Sequence, residues 1–123
     1  MKKVIFIVED NKKTQTEMSY FFHDKVSLIQ AFSLMEADQI LEQNSAFDLV
    51  IMDGCVPVQS DDMIPPYKPT TVPLIKKIRR AFQGPMIATS SDDEYRRMLV
   101  DAGCDHECEK FEAPRLALQL LGL

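Results

Sequence analysis

The chain has 123 residues, 46% of them hydrophobic and 27% charged, with a net charge of −5 and three cysteines, Cys55, Cys104 and Cys108. This mixture describes one globular domain over residues 1–123, and the acidic balance argues against nucleic acid or an anionic membrane surface as partner. No apolar run approaches a membrane span, the opening MKKVIFIVEDN turns acidic too early for a secretory signal, and an odd cysteine count without a CxxC pair leaves a reducing cytoplasm as the expected location.

Residues 4–8 (VIFIV) form a continuous apolar, β-branched run, which suits a strand buried on both faces of a parallel sheet. A helix is expected over 12–23 and a weaker strand over 26–31. Residues 33–43 read as a second helix, with Ser33 and Glu36 at capping-box spacing and Leu34, Ala37, Ile40 and Leu41 on one face. The run 49–52 (LVIM) is the third strand. Residues 58–70 carry three prolines and no period, so they read as a long loop. Thr70 and Thr71 are placed to cap a third helix over 72–82, whose buried stripe is Leu74, Ile75, Ile78 and Phe82. After the Gly84-Pro85 break come a strand at 86–89 and a helix at 91–102, which opens on acids and stops at Gly103. Residues 104–109 (CDHECE) are polar enough to suit only an edge strand, and a short leucine-rich helix over 114–121 ends the pattern. Strands alternating with helices predict an α/β fold with an open, doubly wound parallel sheet.

In such sheets ligands bind beyond the carboxyl ends of the strands. The first strand ends in Glu9-Asp10, the third in Asp53, the fourth in Thr89-Ser90 and the fifth in Lys110. Ionised carboxylates crowded together call for a cation between them. Oxygen ligands of this kind suit Mg²⁺ together with a phosphate oxygen, and a lysine and a hydroxyl suit the remaining phosphate oxygens. Such a set describes phosphoryl transfer onto a carboxylate.

The blocks VIFIVEDN, DLVIMDGCVP, PMIATSS and AGCDHECEK resemble the signature blocks of the response-regulator receiver domain, across the whole chain apart from the proline-rich insertion. The resemblance implies a CheY-like, flavodoxin-like sandwich of three layers, with a five-stranded sheet in the order 2-1-3-4-5. It implies that Asp53 accepts a phosphoryl group from a histidine kinase or phosphotransfer protein. Glu9, Asp10, Asp53 and the backbone carbonyl of Cys55 would hold Mg²⁺, Ser90 would hydrogen-bond the phosphoryl oxygens, and Lys110 would pair with them. The protein would then be a switch of a two-component phosphorelay, not an enzyme beyond its own phosphorylation and dephosphorylation. Its downstream protein partner would bind on the fourth helix, fifth strand and fifth helix. Cys55 and Asp92, two places beyond the nucleophile and the hydroxyl, would tune the phosphate lifetime.

The chain departs from the family pattern at Phe111, where proline is usual, and at Glu107, where the family carries an aromatic switch residue. A carboxylate cannot pack inward as an aromatic ring does, so output must use another lever. These departures and the insertion support an alternative, a receiver-like interaction module that does not switch, and the final leucines could present a homodimer patch. A phosphatase of the haloacid-dehalogenase type would want an acid where Cys55 stands. Cys104, His106 and Cys108 would share one strand face, but no fourth ligand supports a metal there. The cluster Lys76, Lys77, Arg79 and Arg80 reads as a solvated helix face, and Asp61 and Asp62 as solubilising loop residues.

Overall fold

A computed structural model of the chain describes residues 2–43, 46–59 and 69–123. Most of the 58–70 segment, with Asp61 and Asp62, lies outside the described residues. The elements run β1 (Val4–Val8), α1 (Lys12–Phe22), β2 (Ser27–Ala31), α2 (Leu34–Glu42), β3 (Leu49–Met52), α3 (Val72–Arg79), β4 (Met86–Ala88), α4 (Asp93–Ala102), β5 (His106–Glu107) and α5 (Ala113–Leu120). The strands form one parallel sheet in the order β2-β1-β3-β4-β5.

Continuous apolar strands arise because both sheet faces are covered. Alternate residues Phe6, Val8, Val50, Met52, Met86 and Ala88 face one core, closed by Ala37 of α2, Leu74, Ile75 and Ile78 of α3 and Leu99 of α4. Their neighbours Ile5, Ile7, Leu49, Ile51 and Ile87 face the other core, closed by Met18 and Phe22 of α1 and Ala113 and Ala117 of α5. Each fully buried side chain of the size of Ile51 or Phe6 contributes about 1.5–3 kcal/mol. Of the final leucines, Leu116, Leu118, Leu120 and Leu121 pack against this second core, while Leu123 is exposed.

Local signals end the helices as their chemistry dictates. Asn11 caps α1 by accepting from the Thr14 N–H, and His23 sits at its end. Ser33 accepts from the Glu36 N–H at 3.1 Å, but the returning Glu36 carboxylate accepts from Phe32 rather than from Ser33. Asp92, not Ser91, caps α4, accepting from Glu94 and Tyr95. Gly103 ends that helix at φ 146°, a conformation open to glycine but strained for other residues.

Two expectations are corrected. The threonines do not cap α3: Thr71 makes no side-chain cap bond, and its hydroxyl goes elsewhere. Strand β5 is only two residues long, so Cys104 and Cys108 do not share its face with His106. Cys104 packs into the α2–α3–α4 core and Cys108 against the α1–α5 core, on opposite sides of the sheet. Burial pushes their thiols up to about 12 and about 11, as suits inert core cysteines.

The basic cluster is partly used within the fold. Lys77 pairs with Asp38 at 3.0 Å. Arg79 donates to the carbonyls of Gly103, Phe82 and Gly84 and pairs with Asp105, tying the end of α3 to the entries of β4 and β5.

Candidate functional site

Strand register sets the site. Val8 lies beside Met52, and Met52 beside Ala88, so the next residues, Glu9, Asp53 and Thr89, leave the sheet at one height. In the order β2-β1-β3 the sheet grows to one side of β1 and then to the other, and this switch between β1 and β3 opens a crevice above them. Glu9, Asp10 and Asp53 meet there, each offering a carboxylate oxygen, with all three atoms within 4.8 Å of one another. Lys110 enters from beyond β5, its Nζ 2.7 Å from Glu9 Oε1 and 3.5 Å from Asp53 Oδ1. The peptide bond before Phe111 is trans, and Lys110 still reaches both carboxylates.

Ser90 completes the group. A methyl built on Gly54 would come within 3.3 Å of Ser90 Cβ and 3.5 Å of its Oγ, so Ser90 packs directly on the residue after Asp53. The Asp92 N–H donates to Ser90 Oγ at 3.2 Å, fixing the hydroxyl. Cys55 is half-buried beside the acids. Its thiol is pushed up by burial, then by the charges of Asp53 and Asp10.

The electrostatics follow from crowding in a dry place. Burial, then the Glu9 charge, raises Asp53 to about 7, against the lowering effects of Lys110 and the Gly54 N–H, which donates to Oδ1 at 2.8 Å. Asp10 is also raised, by burial and by its hydrogen bond and charge contact with Glu9. Burial works against the Lys110 charge, but Asp53 and Glu9 outweigh it and raise its pKa. Glu9 is 2% exposed; its Oε2 accepts from the Asn11 N–H, while Oε1 pairs with Lys110 at 2.7 Å without a well-directed hydrogen bond. Three carboxylate oxygens within 4.8 Å of one another, one of them buried without a well-directed hydrogen bond, fit a hard divalent cation with oxygen ligands.

Residues not assigned to the site from the sequence hold this geometry. The Thr71 hydroxyl, fully buried, donates to the Asp53 carbonyl at 2.7 Å and approaches the Gly54 carbonyl at 3.2 Å. Thr70 clamps Val56, donating to its carbonyl and accepting from its N–H. Gln15, buried, spreads its amide over the carbonyls of Ile7, Glu9 and Ala31, where β1 and β2 end. Arg96 Nη1 donates to the Ser90 carbonyl at 3.0 Å. The β-hydroxyls of Thr70 and Thr71 were the only visible signal; the glutamine and arginine carry none in sequence.

Five parallel strands in the order 2-1-3-4-5, flanked by five helices and rimmed by acids at the carboxyl ends, are the CheY-like fold of response-regulator receiver domains. No protein-family model matches the sequence, and no curated protein matches it. Among solved structures the chain is similar to a two-component response regulator from Clostridium difficile, at 17% identity and TM-score 0.76, covering 98% of this chain and 97% of that one. It is also similar to a CheY-like receiver domain protein from Methanospirillum hungatei, at 19% identity and TM-score 0.72, over 99% and 92% of the two chains. A third, the BeF3-activated receiver domain of DrrB, matches at 18% identity and TM-score 0.72 over the full length of both. At these identities the likeness establishes a shared fold. Among the described residues no helix is long and apolar enough to cross a membrane.

Proposed function

We propose that the chain is a receiver that takes a phosphoryl group onto Asp53 from a histidine kinase or phosphotransfer protein and thereby changes its affinity for a protein partner. The observation that carries this reading is the convergence of Glu9, Asp10, Asp53 and Lys110, from three separate stretches, on one crevice with Ser90 alongside.

Glu9, Asp10, Asp53 and the backbone carbonyl of Cys55 would hold Mg²⁺. When bound, Mg²⁺ supplies the positive charge that offsets repulsion between the carboxylates and an incoming phosphoryl dianion. The Asp53 carboxylate oxygen forms the new O–P bond as the P–N bond of a phosphoimidazole breaks, and the imidazole leaves with a proton from water. Lys110 exchanges its contact with Asp53 for the phosphoryl oxygens, and Ser90 Oγ donates to one of them. Fixed positions and fixed charges do the work, as expected for a loose phosphoryl-transfer transition state. Attack of water on the acyl phosphate releases inorganic phosphate and restores the carboxylate, so the bond made and broken is on the protein's own side chain.

The beryllofluoride complex of the DrrB receiver supports the choice of probe. With Mg²⁺ and beryllofluoride, ¹⁹F NMR of this protein is expected to show a bound resonance that Asp53→Asn lacks. Wild-type protein that shows only free fluoride species would refute the proposal.

A further inference from the structure

Of the three buried residues on α1, Gln15, Met18 and Phe22, only the first is polar. A buried amide needs partners at both ends. Gln15 Nε2 faces the carbonyls of Glu9, Ala31 and Ile7 at 3.1, 3.2 and 3.3 Å. Its Oε1 accepts from Gln30 Nε2, on β2, at 2.9 Å. The Gln30 amide also donates to the Gln15 carbonyl and the Ser19 hydroxyl, each at 3.0 Å, and that hydroxyl donates to the Gln15 carbonyl. Turned end for end, the Gln15 amide would set its oxygen against three carbonyl oxygens, so the network admits one orientation.

We propose that Gln15 is a positioning residue for the cation site: it orients the peptide between Glu9 and Asp10 so that both carboxylates converge with Asp53, and Gln30 and Ser19 hold it in that orientation. The Glu9 carbonyl belongs to this peptide and lies one residue past the end of β1. A peptide unit is planar, so holding its carbonyl sets the direction in which both residues leave it, and with that the spacing of their side chains. On the near side, the Glu9 N–H donates at 3.0 Å to the Ala31 carbonyl, which the Gln15 amide also reaches. The Glu9 carboxylate has its own tethers in the Asn11 N–H and Lys110, so the restraint from Gln15 acts chiefly on Asp10. Groups that support metal ligands from behind in this way govern affinity without touching the ion. The inference rests on the receiver reading for the identity of the ion, whereas the peptide is oriented without any ligand.

The test compares Gln15→Met, which keeps the side chain's length but none of its hydrogen bonds, with Phe22→Leu, which loosens the same helix through apolar packing alone. Gln30→Leu, on a half-buried residue, leaves Gln15 in place but frees its Oε1, and decides the matter if Gln15→Met does not fold. In ligand-free protein, the residual dipolar coupling of the Asp10 N–H reports the tilt of the Glu9–Asp10 peptide against the strand amides of β1. It is expected to change in Gln15→Met, to change less in Gln30→Leu, and to keep its wild-type value in Phe22→Leu. A coupling unchanged in both glutamine variants overturns the positioning role. In a second arm Mg²⁺ alone is titrated and followed at the Asp10 and Gly54 amides. Gln15→Met is expected to bind it roughly 10- to 100-fold more weakly than wild type, and Phe22→Leu as wild type does. Equal affinity in wild type and Gln15→Met, or an equal loss in Phe22→Leu, overturns the inference. Wild-type protein that binds no Mg²⁺ sinks the receiver reading alone, because the ligand-free arm has already decided what Gln15 does.

Discussion

Replacing Asp53 by asparagine should make the protein more stable at neutral pH, because the native carboxylate is held where ionisation is unfavourable. Its pKa rises from 3.8 to about 7, chiefly by burial and the Glu9 charge. The folded state thus binds more protons than the unfolded state between those values, and stability falls as pH rises through that window. The penalty is absent below about pH 4 and complete above about pH 7. A shift of about three units at about 1.4 kcal/mol each sets a ceiling of about 4 kcal/mol. Protons shared among Asp53, Asp10 and Glu9, and water entering from the open rim, reduce the expected gain to on the order of 1–2 kcal/mol. Asparagine keeps an oxygen to accept from the Gly54 N–H, so the fold loses no backbone partner. Urea denaturation followed by far-ultraviolet circular dichroism, at pH 5 to 8 without divalent ions, measures the difference. The gain of Asp53→Asn over wild type should grow with pH and level off near pH 8. An asparagine variant less stable than wild type at pH 8, or a difference independent of pH, would refute the reasoning.

The other predictions concern the residues around that carboxylate. Lys110→Met removes a charge that lowers the Asp53 pKa, so ¹³C carboxyl titration should place Asp53 above its wild-type value; a downward move contradicts the assigned ion pair. Thr71→Val leaves the Asp53 carbonyl without its hydroxyl donor and should cost about 1–3 kcal/mol in denaturation, against no measurable loss if the bond is incidental. Asp92→Ala removes the cap of α4 and should cost about 1 kcal/mol. The variant keeps the backbone N–H that donates to Ser90 Oγ but loosens the helix start that holds it, so it should alter the decay rate of the phosphorylated protein without abolishing phosphorylation; an unchanged decay rate would separate Asp92 from the site.

The parts legible in the sequence were those written in contiguous patterns. VIFIV and LVIM suit doubly covered strands, and each runs into the acids that its carboxyl end delivers to the crevice. Gly103 and the acids before α4 marked that helix to within a residue or two. Less legible were features set by contacts across the chain. Thr71 looks like a helix cap because it precedes an amphipathic stretch, but the carbonyl it serves is 18 residues earlier. Strand β5 shrank to two residues because it pairs only with the short β4 at the sheet edge, and that reassigned Cys104 and Cys108 to opposite cores. The sequence shows Glu107 to be unsuited to inward packing, yet nothing near it in sequence points to Arg96, which reaches it from the adjoining helix.

The claim on which the account turns is that Asp53 is a nucleophile toward phosphorus. Incubation with acetyl phosphate and Mg²⁺, followed by intact-protein mass spectrometry, tests it most directly. The account predicts a gain of one phosphoryl group in wild type, lost on chelation of Mg²⁺ and absent in Asp53→Asn. An unmodified wild-type mass, or the same gain in Asp53→Asn, would contradict it.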